Sequence, residues 1–239
     1  MSTTKSALIF LLSSLLYVAP AAYSQSSASN AQVSFTFDFP GSFPDHYSLT
    51  VNSSGHAVYI SGKSDAASKS ADSDGDSDSS TVSEAPTRFE FTMSPANRDR
   101  IFDLAKRADY FRGQVDLGKA NLANTGSKTL AYKDGGRSSH ATYNYSTKPA
   151  IQELTRLFQN ISATLEFGLK LDYLHRYQKL ALEDELKQME QAAKADQLDE
   201  LQAIVPVVKR ILEDSSVMNV SRARAERLLA LSGGSVPAK

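Results

Sequence analysis

Four aspartates crowd one glycine in "SADSDGDSDSSTVSEAP", Ser70 to Pro86. Alternating carboxylates around a glycine are what a calcium loop uses: oxygen ligands at positions 1, 3, 5, 7 and 9, a glycine at 6, and a bidentate carboxylate at 12. With Gly75 at position 6, Asp72, Asp74, Asp76 and Asp78 fall on 3, 5, 7 and 9. Position 1 is then Ser70 and position 12 is Thr81, so the strongest ligand is missing, and Glu84 comes three residues too late. A solvated insertion fits the composition better, because residues 61–86 are mostly Ser, Asp, Ala and Gly with almost no apolar side chain to drive ordering. A long insertion between two strands costs little, since closure entropy grows only logarithmically with length. If the aspartates do bind calcium, the dissociation constant belongs in the ~10⁻⁴ to 10⁻³ M class of extracellular modules.

The other chemistry-bearing residues form no recognisable constellation. His46, His56 and His140 fall on expected strands and His175 on a helix, none at a metal-ligand spacing; a cross-strand pair of His46 and His140 is the one imidazole site to check. "GRSSH" brings Ser138, Ser139 and His140 together, but strand neighbours point to opposite faces, and no strained G-x-S-x-G turn presents a nucleophile. No phosphate-cradling glycine loop appears, and no cofactor is expected. Cysteine is absent, which removes thiol nucleophiles, zinc-thiolate sites and disulfides. A formal net charge of −1 gives no reason to expect a nucleic-acid partner.

The ends of the chain point to a compartment. "MSTTKSALIFLLSSLLYVAPAAYSQ" pairs Lys5 with an apolar run from Ala7 to Val18, then Pro20, and sets Ala22 and Ser24 at −3 and −1 of a cut before Gln25. This is the pattern of a cleaved signal peptide over residues 1–24, and the run is shorter than the roughly 20 apolar residues of a membrane span. A secreted or periplasmic protein with no remaining membrane anchor is expected. The rest is long enough for one substantial core or two small ones.

Elements able to position side chains follow from periodicity. "VSFTFDF", "YSLTV" and "HAVYI" alternate by two, as strands with one buried face do, and "NSSG" supplies a turn between the last two. "RFEFTM" reads as another strand. Ser94 is then an N-cap and Pro95 a first helical residue, with Ile101, Leu104, Ala105 and Ala108 as the buried stripe. Asp134-Gly135 turns a second hairpin. A helix opens at Pro149 and carries Ile151, Leu154, Phe158, Ile161 and Leu165. At Gly168 the stripe slips in phase, and a new one starts at Leu171. Leu198, Leu201, Val205, Val208 and Leu212 make a further stripe that Pro206 kinks or restarts. A last helix spans about Asn219 to Leu231, with Gly233 as its stop.

The expected fold is therefore α+β: an antiparallel sheet of hairpins with helices on one face, residues 25–165, followed by a helical C-terminal extension, 166–239. "YSLTVNSSGHAVYISG", "TMSPANRDRIFDLAKRADYF" and "SKTLAYKDGGRSSHATYNYSTKPAIQELTRLFQNI" together resemble a family of small exported bacterial domains of unknown function, over about residues 31–161. The resemblance implies a Tyr-rich hairpin, a helix, a second hairpin and a Pro-initiated helix, and it implies export. It carries no activity. Where that family has cysteines before its first Tyr strand, this chain has "PGSFPDHY", so a redox or disulfide role does not transfer.

On these grounds the chain is expected to be a non-catalytic binding or protein-interaction module. A protein partner or a second copy of the chain is expected on the C-terminal helices, and Tyr47, Tyr59, Tyr132, Tyr143 and Tyr145 are candidates for an aromatic surface on the sheet. The alternative is a cell-envelope hydrolase, marked by a deep pocket joining His140 to a carboxylate.

Overall fold

The computed structural model describes residues 30–62, 86–118 and 123–233. The signal-peptide reading and Asp72, Asp74, Asp76 and Asp78 lie outside the described residues. The fold is α+β, as its periodicities predict. Six antiparallel strands, β1 (Gln32–Asp38), β2 (His46–Asn52), β3 (His56–Gly62), β4 (Thr87–Thr92), β5 (Ser127–Lys133) and β6 (Ser138–Tyr143), form one sheet in the order β4-β3-β2-β1-β5-β6. β3 and β4 pair antiparallel, so residues 63–86 connect two neighbouring strands.

Alternation explains what each face carries. Val33, Phe35, Tyr47, Leu49, Val51, Tyr59, Leu130, Tyr132 and Tyr143 point to one side and are buried. The other side presents Ser34, Thr36, Ser48, Thr50, Thr129 and Thr142, none of them buried. The hairpin turns use the expected chemistry. Asn52 Oδ1 accepts from the Ser54 and His56 N–H groups at 3.1 and 2.9 Å, and Gly55 takes φ +90°. Asp134 Oδ1 accepts from Gly136 and Arg137 N–H.

Among the described residues five α-helices follow or interrupt the strands: α1 (Pro95–Arg107), α2 (Pro149–Tyr177), α3 (Leu182–Lys194), α4 (Val205–Glu213) and α5 (Asn219–Leu231). Helix α2 lies diagonally over the apolar face of the sheet, as three contacts show. Thr155 meets the Tyr143 hydroxyl on β6 at 2.6 Å, Phe158 stacks on Phe35 of β1 at 5.3 Å, and Ser162 and Glu166 meet the Tyr59 hydroxyl on β3. Among the described residues no helix is long and apolar enough to cross a membrane.

Two sequence expectations are refined by the structure. The stripe shifts in phase at Gly168, where the buried positions step by three through Leu165, Gly168, Leu171 and Leu174, but α2 is continuous through the shift. Gly168 is small because the C-terminal segment presses against it, and a Cβ there would overlap Ile204 Cγ2. Pro206 does restart the helix, in the first turn of α4, but the buried stripe is Ile204, Val207, Val208 and Ile211, with Leu212 only partly covered.

The residues after α2 are packed on the same core. Leu182, Leu186, Met189, Ile211, Leu228 and Leu229 are buried, and each such side chain removed from water contributes roughly 1.5–3 kcal/mol. Exposed ion pairs contribute about 0–1 kcal/mol each, so the apolar contacts dominate. Two buried carboxylates fix the geometry. Glu200, at φ +63°, accepts from Ser94 N–H at 2.6 Å, Ser94 Oγ at 2.7 Å and Asn97 Nδ2 at 2.6 Å, so the C-terminal segment caps α1. Glu190 accepts from Arg224, Arg227 and Lys194, tying α3 to α5.

Gly168→Ala is expected to lower stability by about 1–3 kcal/mol through overpacking, and pairing it with Ile204→Ala should recover part of that loss in a denaturant titration. The Arg227 guanidinium, with Lys194 and Arg224, holds the Glu190 carboxyl well below the usual carboxylate range. A depressed folded-state pKa stabilises above the unfolded value, about 4.3, and that contribution fades as pH falls below it. The stability gap between the wild type and Glu190→Gln should therefore shrink between pH 6 and pH 3, read by urea unfolding at each pH.

Candidate functional site

The tyrosines do not form an aromatic surface. Tyr47, Tyr59, Tyr132 and Tyr143 sit on the helix-covered face and are buried, leaving Tyr145 exposed. Nor do His46 and His140 meet, because β1 and β5 lie between their strands. His46 Nδ1 instead lies 2.5 Å from Asp38 Oδ1, and His175 Nε2 lies 2.9 Å from Asp214 Oδ2. His140 is exposed on the open sheet face, and Ser139 Oγ donates to the Tyr110 carbonyl. Among the described residues no group of three or more His, Cys, Asp or Glu is arranged to hold a metal ion.

A cavity of about 710 Å³ at one end of the sheet is lined by Asp38, His46, Asp116 and Asn144. Its Asp116 carboxylate is already committed: it accepts from the backbone N–H groups of Tyr145, Asn144 and Gly118, which hold its pKa below the ordinary value. This is a loop anchor.

The cleft with unspent groups lies between the β1–β2 loop and helices α2 and α3. Two adjoining cavities of about 430 and 630 Å³ share Ser42, Phe43, Pro44, Glu166 and Lys170. One wall is the loop Phe39–Asp45, closed by a Phe39 N–H to Asp45 carbonyl bond of 2.8 Å. Ser42 Oγ lies 2.8 Å from both the Phe39 and the Pro44 carbonyls. These bonds tie the loop down around Phe43, whose ring is 90% exposed. The opposite wall is the ridge Gln159, Ala163, Glu166, Lys170 and Tyr173 of α2, joined by Glu185 and Gln188 of α3.

Sequence periodicity places these helix residues on one face, since i, i+3 and i+4 positions are neighbours. At the floor, the Tyr59 hydroxyl donates to Glu166 Oε1 at 2.8 Å and lies 2.9 Å from Ser162 Oγ. Burial pushes the Tyr47 and Tyr59 hydroxyls well above the usual tyrosine range, and Glu166 adds to the rise at Tyr59. Both remain neutral, so Tyr59 is a fixed donor that orients the Glu166 carboxylate. Lys170 is 2.6 Å from Glu185 Oε2. From Tyr173 on the cleft wall the exposed residues run on: its ring meets Tyr177 at 5.1 Å, tilted by 48°, and Leu180 follows. An aromatic and aliphatic strip thus continues from Phe43 along the end of α2.

None of these cleft residues stands out in the sequence except one. Phe43 is an aromatic residue in the polar, turn-forming run "PGSFPDHY", and such a residue has little apolar core to join. That signal was available; the carboxylate of Glu166, one of many on a helix, was not. No protein-family model matches the chain, and a search of curated proteins finds no match either.

Tyr59→Phe is expected to lower stability by about 1.5–3 kcal/mol, the net value of a hydrogen bond to a charged group. Circular dichroism should be unchanged, and thermal melting gives the shift.

Proposed function

We propose that the protein is an exported, non-catalytic binding module, secreted or periplasmic, whose binding site is the cleft between Phe43 and the Glu166 ridge of α2. The C-terminal helices take part in the interaction by forming this wall. The leader-like segment 1–24 and the resemblance to exported bacterial domains support the location. The binding reading rests on Phe43. A fully presented aromatic ring on a hydrogen-bonded loop contributes nothing to the core, and exposed aromatics beside a concave, mixed polar and apolar surface are what recognition sites use. Around it the cleft offers rings for stacking, the Gln159 and Gln188 amides as two-way hydrogen-bonding groups, and a carboxylate held in place by Tyr59.

Phe43→Ser should leave the melting temperature within a degree or two of wild type, since the ring buries almost nothing. The same variant should lose capture of an envelope component that the wild type retains on a column. Equal retention by Phe43→Ser and wild type would remove the cleft as the site of binding.

A further inference from the structure

We propose that this cleft takes a lysine or arginine side chain presented by an extended segment of a partner protein. The inference rests on the binding reading above and adds the chemistry of the ligand. The first observation is charge. Among the described residues the only side-chain partners of Glu166 are uncharged: it accepts from Tyr59, and no cation lies within salt-bridge distance. Lys170, the cation in the cleft, is already joined to Glu185 at 2.6 Å. An anion entering the cleft would face Glu166 and Glu185 with no free positive partner. A cation would find a carboxylate already oriented, and a charge-assisted hydrogen bond to it is about twice as strong as a neutral one.

The second observation is what surrounds the carboxylate. Phe43 stands on one wall and Tyr173 on the other, with Leu169 beside it. Rings with their negative faces toward a cation attract ammonium and guanidinium groups. Lysine and arginine also carry an apolar stem that can lie along rings while the head reaches a polar floor. A free amine such as butylamine has the head group and the stem but not the flanking backbone. The Tyr173–Tyr177–Leu180 strip running on from the cleft gives an extended chain further contact that a small amine cannot use. These features together favour a protein segment over a free amine.

The test measures binding of the whole secreted chain to four probes: acetyl-Gly-Lys-Gly-amide, its Arg counterpart, the same peptide with an acetylated lysine side chain, and butylamine. Isothermal calorimetry gives affinities, and NMR perturbation locates the site. The Lys or Arg peptide should bind at the Phe43–Glu166 cleft, roughly tenfold or more tightly than the acetyl-lysine peptide. Glu166→Gln, whose amide oxygen can still accept from Tyr59, should weaken that binding by a similar factor and lower the melting temperature by less than Tyr59→Phe does, while Glu213→Gln, on the exposed end of α4, should leave binding unchanged. If the acetyl-lysine peptide binds the cleft equally well, the cation proposal is overturned and the binding cleft survives. If butylamine matches the peptides, the partner segment is overturned in favour of a small-amine site. If no probe perturbs the cleft and Phe43→Ser also retains envelope capture, both readings fall.

Discussion

One helix sets the position of everything else. Helix α2 is held on the sheet at three points along its length, Tyr143–Thr155, Phe35–Phe158 and Tyr59 with Ser162 and Glu166. Because those points fall on β6, β1 and β3 in turn, the direction of the helix across the strands is fixed. Its other face then becomes the surface on which the C-terminal segment must pack. Gly168 is a point of close approach between the two: without a side chain there, Ile204 can sit against the helix backbone. Glu200 reaches from the same segment to the start of α1. The sheet, the C-terminal helices and the cleft therefore share one reference axis, α2.

The strands and most helix boundaries were legible because their signals are local. A period of two in "VSFTFDF" and "YSLTV" needs no distant partner to be read, and neither does Ser94-Pro95 as a helix start. Asn219 to Leu231 was legible for the same reason, with Gly233 marking its end. The cause of the phase shift at Gly168 was hidden because a glycine inside a helical pattern has two meanings, an interruption or a close approach. Only Ile204, 36 residues away, decides between them. The tyrosines show a similar limit. Alternation places Tyr47, Tyr59, Tyr132 and Tyr143 on a common face, but whether that face is covered depends on α2. The three successive left-handed residues Asp109 to Phe111 were also invisible. They are held by burial of Phe111 and by the tilted contact of the Tyr110 ring with Tyr132 at 4.5 Å, contacts that local spacing does not encode.

The site was the least legible part, and for a physical reason. Its charge comes from α2, its donor from β3, its rings from a loop and a helix, and its ion pair from α2 and α3. Glu166, Lys170 and Tyr173 share helical spacing on α2, but no short motif joins them to Phe43, Tyr59 or Glu185. The aspartate-rich stretch was conspicuous because its residues adjoin in sequence, whereas a recognition surface assembled by tertiary packing has no such signature. Local conspicuousness and spatial convergence are different properties, and this chain separates them.

The scattered origin of the cleft has a consequence for timing. A polypeptide emerges from its amino end, and a surface that needs Phe43, Tyr59, Glu166 and Glu185 at once does not exist until the last of them has appeared and α3 has docked. Contacts across more than a hundred positions, such as Tyr59 with Ser162 and Glu166, are also slow to form. A chain that has not yet reached α3 thus has no assembled cleft, and the proposed recognition must wait for it.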